Sequence, residues 1–158
     1  MMVRLSKIFL VASVALWALW GGLGNLMDYQ SGFGAVKQIS SMAAVENPPP
    51  WATNNDAIVH LGYSFIWVLK FIGGAMCLVG ALRLWRARNA SPKDFLAAKS
   101  WAIGGMTVLF FMLFIGFNLI ATNVFMAFKT PLIVALDLSW VFAGEIGIVM
   151  LFTHMKEE

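Results

Sequence analysis

Cysteine is nearly absent: Cys77 stands alone among 158 residues, which excludes an internal disulfide and any multi-cysteine zinc or iron–sulfur centre. Charge is scarce too. Only 12% of the residues are Asp, Glu, Lys or Arg, about half the share usual in a soluble domain. Histidine occurs twice, at His60 and His154, near the start of one apolar run and the end of another. That spacing puts them on opposite faces of a bilayer, whereas a transmembrane haem held by two imidazoles needs both at one depth. The sequence has no glycine-rich phosphate loop, no Ser-His-Asp constellation and no metal-ligand spacing. No metal, no cofactor and no catalytic residue is therefore expected, and the chain is not read as an enzyme.

What remains is apolar. Hydrophobic residues make up 60% of the chain and the mean hydropathy is +0.78, so lipid is the expected solvent. The net charge of +3 does not imply nucleic acid, because the charges fall between the apolar runs, where they report membrane topology. A hydrocarbon core is crossed by about 20 helical residues, since only a helix satisfies its own backbone there. Four runs have that length: 8–27, 57–84, 101–125 and 132–152. The first, behind Arg4 and Lys7, is too long for a cleavable signal and is read as a retained span. The expectation is one all-α membrane domain over 1–158, a four-transmembrane-helix bundle.

Lys and Arg set the orientation. Arg4, Lys7, Arg83, Arg86, Arg88, Lys93, Lys99 and Lys156 collect on one side, and Lys37 and Lys129 on the other. The termini and the loop 85–100 are thus expected in the cytoplasm, and the loop 28–56 outside. In the outer loop Phe33, Val36, Ile39 and Ala43 recur at helical spacing, which predicts a short amphipathic helix ended by Pro48-Pro49-Pro50. Ser91 and Pro92 read as the cap and first residue of a helix leading into the third span.

Charges at bilayer depth cost about 2.5–3.5 kcal/mol each on insertion scales, which singles out Lys70, Asp137 and Glu145. Counted from the starts of parallel spans, Lys70 and Glu145 lie equally deep, about 20 Å in. An intramembrane Lys70–Glu145 ion pair is expected, fixing helix register or, with Asp137, relaying protons or ions. His60, Asp137 and Asn118 all fall toward the outer side and are expected to form a polar cluster there. Gly73, Cys77 and Ala81 recur every fourth residue, a spacing that lets helix backbones approach closely.

Several short segments carry a resemblance. The basic start, Ala15-Leu16-Trp17, Gly24-Asn25-Leu26, Asp28-Tyr29, Ser41-Met42, Leu69-Lys70, Gly80-Ala81-Leu82-Arg83 and Ala97-Ala98-Lys99 resemble the bacterial proteins known only as predicted small integral membrane proteins, a domain-of-unknown-function family. The resemblance spans most of the chain. It implies four helices in a bacterial inner membrane and carries no activity. Two functions are consistent with these features. One is a non-catalytic accessory or stabilising subunit of a larger inner-membrane complex, an energy-transducing one included, with lipids and either other membrane subunits or further copies of itself as partners. The other is a small ion- or proton-coupled transporter or channel using Lys70, Asp137 and Glu145.

Overall fold

The computed structural model describes residues 1–156. The described residues are helical with no strands. In chain order the helices are α1 (Met2–Met27), α2 (Tyr29–Ser40), α3 (Asp56–Arg86), α4 (Pro92–Ala98), α5 (Ser100–Phe111) and α6 (Ile133–His154). Between α5 and α6 the chain continues as a π-helical segment, Met112–Val124, and a short 3-10 turn, Ala127–Lys129. Four stretches are long and apolar enough to cross a membrane: Met2–Met27, Asp56–Arg86, Pro92–Val124 and Ile133–His154.

Local chemistry explains several boundaries. The Asn55 side chain accepts from the Ala57 backbone N–H at 2.9 Å and caps α3. Ser91 does the same for the Asp94 N–H, with Pro92 occupying the first turn of α4, where its missing N–H costs nothing. In the π segment the backbone bonds reach five residues back, as from the Phe125 N–H to the Ile120 carbonyl at 3.0 Å, and the Asn123 side chain donates from its Nδ2 to the Asn118 carbonyl at 2.8 Å. Such segments are rare and widen the helix, turning the side chains beyond them away from α-helical register.

Around the bundle the order is α1, α3, α5 with its π extension, then α6, which closes back on α1. α3 and α6 therefore stand on a diagonal. The closest contact is α3 on α5. A Cβ built on Gly105 would lie 2.7 Å from the Cys77 amide nitrogen, its sulfur and the Gly73 carbonyl oxygen, and one on Gly80 would lie 2.5 Å from the Ala102 nitrogen. Only residues without side chains permit this approach. Gly73 and Cys77 sit in this contact, Cys77 donating from its thiol to the Ala102 carbonyl at 3.8 Å, and Ala81 is buried one turn further along.

Both ends of the described chain lie at one end of the bundle. Arg4 donates to the carbonyls of Arg88 and Ala90 at 3.0 and 2.7 Å, while Lys7 and Lys99 donate to the Met155 carbonyl at 2.6 and 2.7 Å. Lys7 and Lys99 are each only 1% exposed. These three basic residues, read from sequence as topology charges alone, also act as ties: Lys7 and Lys99 join the starts of α1 and α5 to the end of α6, and Arg4 joins α1 to the turn between α3 and α4.

Candidate functional site

The ion pair expected between Lys70 and Glu145 does not form: no bridge within 4 Å joins them among the described residues. Depth is not the reason, since both lie about 20 Å from the starts of their helices at 1.5 Å per residue. Direction is. α3 and α6 are diagonal, and the space between them is filled from α1 by Trp17, which packs on Phe142 with ring centroids 5.0 Å apart. The Lys70 ammonium stands over one side of this indole, 5.6 Å from the ring centroid. Glu145 is exposed and lines a groove of about 400 Å³ between α1 and α6, along with Ser13, Trp17 and Ile148.

The expected cluster of His60, Asp137 and Asn118 is likewise not assembled. His60 belongs to the α2–α3 contact: the Tyr29 hydroxyl meets its Nδ1 at 2.8 Å, and Phe33 packs on the ring at 4.4 Å between centroids. Asn118 is buried in the π segment, where its Oδ1 accepts from the Ser139 hydroxyl of α6 at 3.2 Å. Its Nδ2 is buried without a hydrogen-bond partner among the described residues. Asp137 is exposed on α6 and meets neither. The π segment accounts for part of this, because it turns Asn118 inward.

Beneath α2 the bundle opens into a cleft of about 280 Å³. α2 forms its roof through Ser31, Gly32, Val36 and neighbouring residues, α1 and its C-cap contribute Gly24, Asn25 and Asp28, and α6 and its N-cap contribute Leu136 and Leu132. Lys70 and Asp28 are its charged lining residues, Lys70 within the span of α3 and Asp28 just past the end of α1. Among the described residues, the Lys70 ammonium has no hydrogen-bonded or ion-paired partner. A Cβ on Gly21 would lie 3.2 Å from Nζ, so the ammonium rests directly on the α1 backbone. Tyr63 fixes the wall by donating to the Asn25 carbonyl at 2.7 Å.

The roof is held by aromatic and ionic contacts. Tyr29 meets Tyr63 edge-on at 4.9 Å, and Lys37 pairs with Asp56 at 2.7 Å. The pair is exposed and screened by solvent, so it contributes little. Gly32 matters more, because a Cβ there would overlap the Tyr63 ring. Gly32→Val is expected to lift α2 from α3 and expose the 41–55 loop to protease several-fold faster, with little change in the unfolding midpoint. Unchanged cleavage would show that the roof is not held at this contact.

Sequence reasoning missed Trp17, Tyr29, Tyr63 and Asp28 as site residues. A signal was present: the chain has just two tyrosines, and both lie in this contact. Trp17 sits in the interior of its span, not at the headgroup level where tryptophan is usual.

No curated protein and no solved structure matches the chain. Residues 3–156 match the model of one family, and four helices of membrane-crossing length agree with its description, so the chain belongs to the family described as predicted small integral membrane protein (DUF2165).

Proposed function

We propose that this protein is a non-catalytic accessory or stabilising subunit of a larger membrane complex, held against its partner by the outer face of α6. The observation that carries this reading is a helix of membrane-crossing length with two carboxylates on its exposed side. Asp137 and Glu145 lie there with Val141, Gly144 and Ile148, all exposed. A lone carboxylate deep in a span costs about 2.5–3.5 kcal/mol on insertion scales, so Glu145, about 20 Å along α6, calls for a protein donor, and Asp137 extends the polar face toward the helix start. Gly144 has open space where a Cβ would stand, leaving room for the backbone of another helix. The partner's chemistry follows: a transmembrane segment with basic, hydroxyl or amide groups at the depths of Asp137 and Glu145.

The orientation that goes with this reading puts both termini in the cytoplasm of a bacterial inner membrane. Arg83, Arg86, Arg88 and Lys93 crowd the terminal end of the bundle, and at the opposite end the charge of Lys37 is matched by Asp56. A transport path is less well supported, because Lys70 and Glu145 line two separate cavities and Asp137 lines neither of them.

Replacing both carboxylates separates the roles of the α6 face. Asp137→Leu with Glu145→Leu is expected to leave the isolated bundle as stable as before or more so, while the native complex dissociates in mild detergent. Size-exclusion mass and the unfolding midpoint check the two halves. Native material that runs as a lone, monodisperse chain, or a complex indifferent to the double substitution, would sink the proposal.

A further inference from the structure

The cleft beneath α2 lies away from the α6 outer face and makes a separate demand. Lys70 lines it about 20 Å from the start of α3, and among the described residues its ammonium has no hydrogen-bonded or ion-paired partner, only the face of Trp17 at 5.6 Å. Most of the walls are apolar: Ala35, Val36 and Ile39 above, Ile66 and Phe117 below. We propose that this cleft binds the carboxylate head of a long-chain fatty acid, with Lys70 as the counter-ion and the acyl chain leaving between the helices into lipid.

Three observations select that ligand. A single ammonium is neutralised by one monoanion, whereas a phosphate monoester would bring surplus charge into the same apolar slot. The depth of Lys70 also matters, because a carboxylate on a bare chain is small enough to be drawn below the headgroup level, while a phospholipid phosphate is tied to the interface by its glycerol. Finally, about 280 Å³ is near the lower end of ligand sites, enough for a small head and the first part of a chain but not for a bulky headgroup. Asp28, in the lining just past the end of α1, adds discrimination, since it repels an anion that stops short of Lys70.

Gly24 supplies a second handle. It lines the cleft, and a Cβ there would meet nothing within 4 Å, so Gly24→Leu adds bulk at the lining without a Cβ clash in the bundle. The experiment is equilibrium binding of radiolabelled palmitate to the full chain in detergent, with hexadecanol and phosphatidic acid as competitors. Saturable binding of one palmitate per chain is expected, weakened at least tenfold in both Lys70→Met and Gly24→Leu and not displaced by hexadecanol. Should Lys70→Met fail to fold, Gly24→Leu decides alone. Palmitate binding unchanged in Gly24→Leu, competition by hexadecanol as strong as by unlabelled palmitate, or preferential binding of phosphatidic acid would each overturn the assignment. None of these outcomes bears on the α6 face, whose test reads particle mass.

Discussion

Gly105→Leu is expected to stop the bundle from closing, with a loss of about 3 kcal/mol or more and a large drop in the unfolding midpoint. At Gly105 the atoms met by a new Cβ include the Cys77 amide nitrogen and the Gly73 carbonyl oxygen, both at 2.7 Å. Backbone atoms within a packed helix cannot swing aside as a side-chain tip can. The helices must move apart, and every contact along α3 and α5 loosens together. In lipid this matters more than in water, because acyl chains are as apolar as leucine and close packing is what makes helices prefer each other. Gly105→Ala is expected to be milder but still destabilising, whereas Gly144→Leu, facing open space, leaves the midpoint unchanged. Denaturant titration in detergent, followed by tryptophan fluorescence, orders the three variants. A Gly105→Leu midpoint equal to that of Gly144→Leu would show that α3 and α5 do not meet here.

The same glycines illustrate what one sequence discloses. The spacing of Gly73, Cys77 and Ala81 marks a small-residue face on α3, because residues four apart share a side of a helix. It does not disclose that Ala102 and Gly105 lie opposite, since that pairing depends on which helices are neighbours. Four spans were legible for a stronger reason: lipid leaves backbone groups no other partner, so length and hydropathy nearly determine the count. Ser91 and Pro92 were legible as a helix start because capping is local chemistry.

Lys70 and Glu145 mark the limit of this reasoning. Their depths follow from counting residues along parallel helices, and the count holds. Their directions depend on the order of helices around the bundle, which puts α3 and α6 on a diagonal with Trp17 packed on Phe142. Asn118 fails for a related reason. The π segment Met112–Val124 changes the number of residues per turn, and no composition signal announces it, so a helical wheel drawn for the third span misplaces everything after Met112. Lys7 and Lys99 read as ordinary cytoplasmic charges because burial of a lysine head beside a helix end leaves no trace in local sequence.

Those two lysines give the last expectation. The final carbonyls of a helix have no intrahelical donor, and at the end of α6 the Met155 carbonyl accepts from both ammonium groups, at 2.6 and 2.7 Å. Hydrogen bonds from charged groups contribute about 1.5–3 kcal/mol each. Lys7→Met leaves the carbonyl with Lys99, and Lys99→Met leaves it with Lys7, so each single variant keeps that oxygen satisfied. Together the substitutions strip it of both donors and detach α6 from the starts of α1 and α5. The double variant is therefore expected to lose more than the sum of the singles, with a coupling of about 0.5–3 kcal/mol. Methionine keeps most of the lysine stem's volume, so the cycle reports on the ammonium group and not on a cavity. A strictly additive cycle would mean that the two lysines act on separate acceptors and that the end of α6 is held by something other than this shared carbonyl.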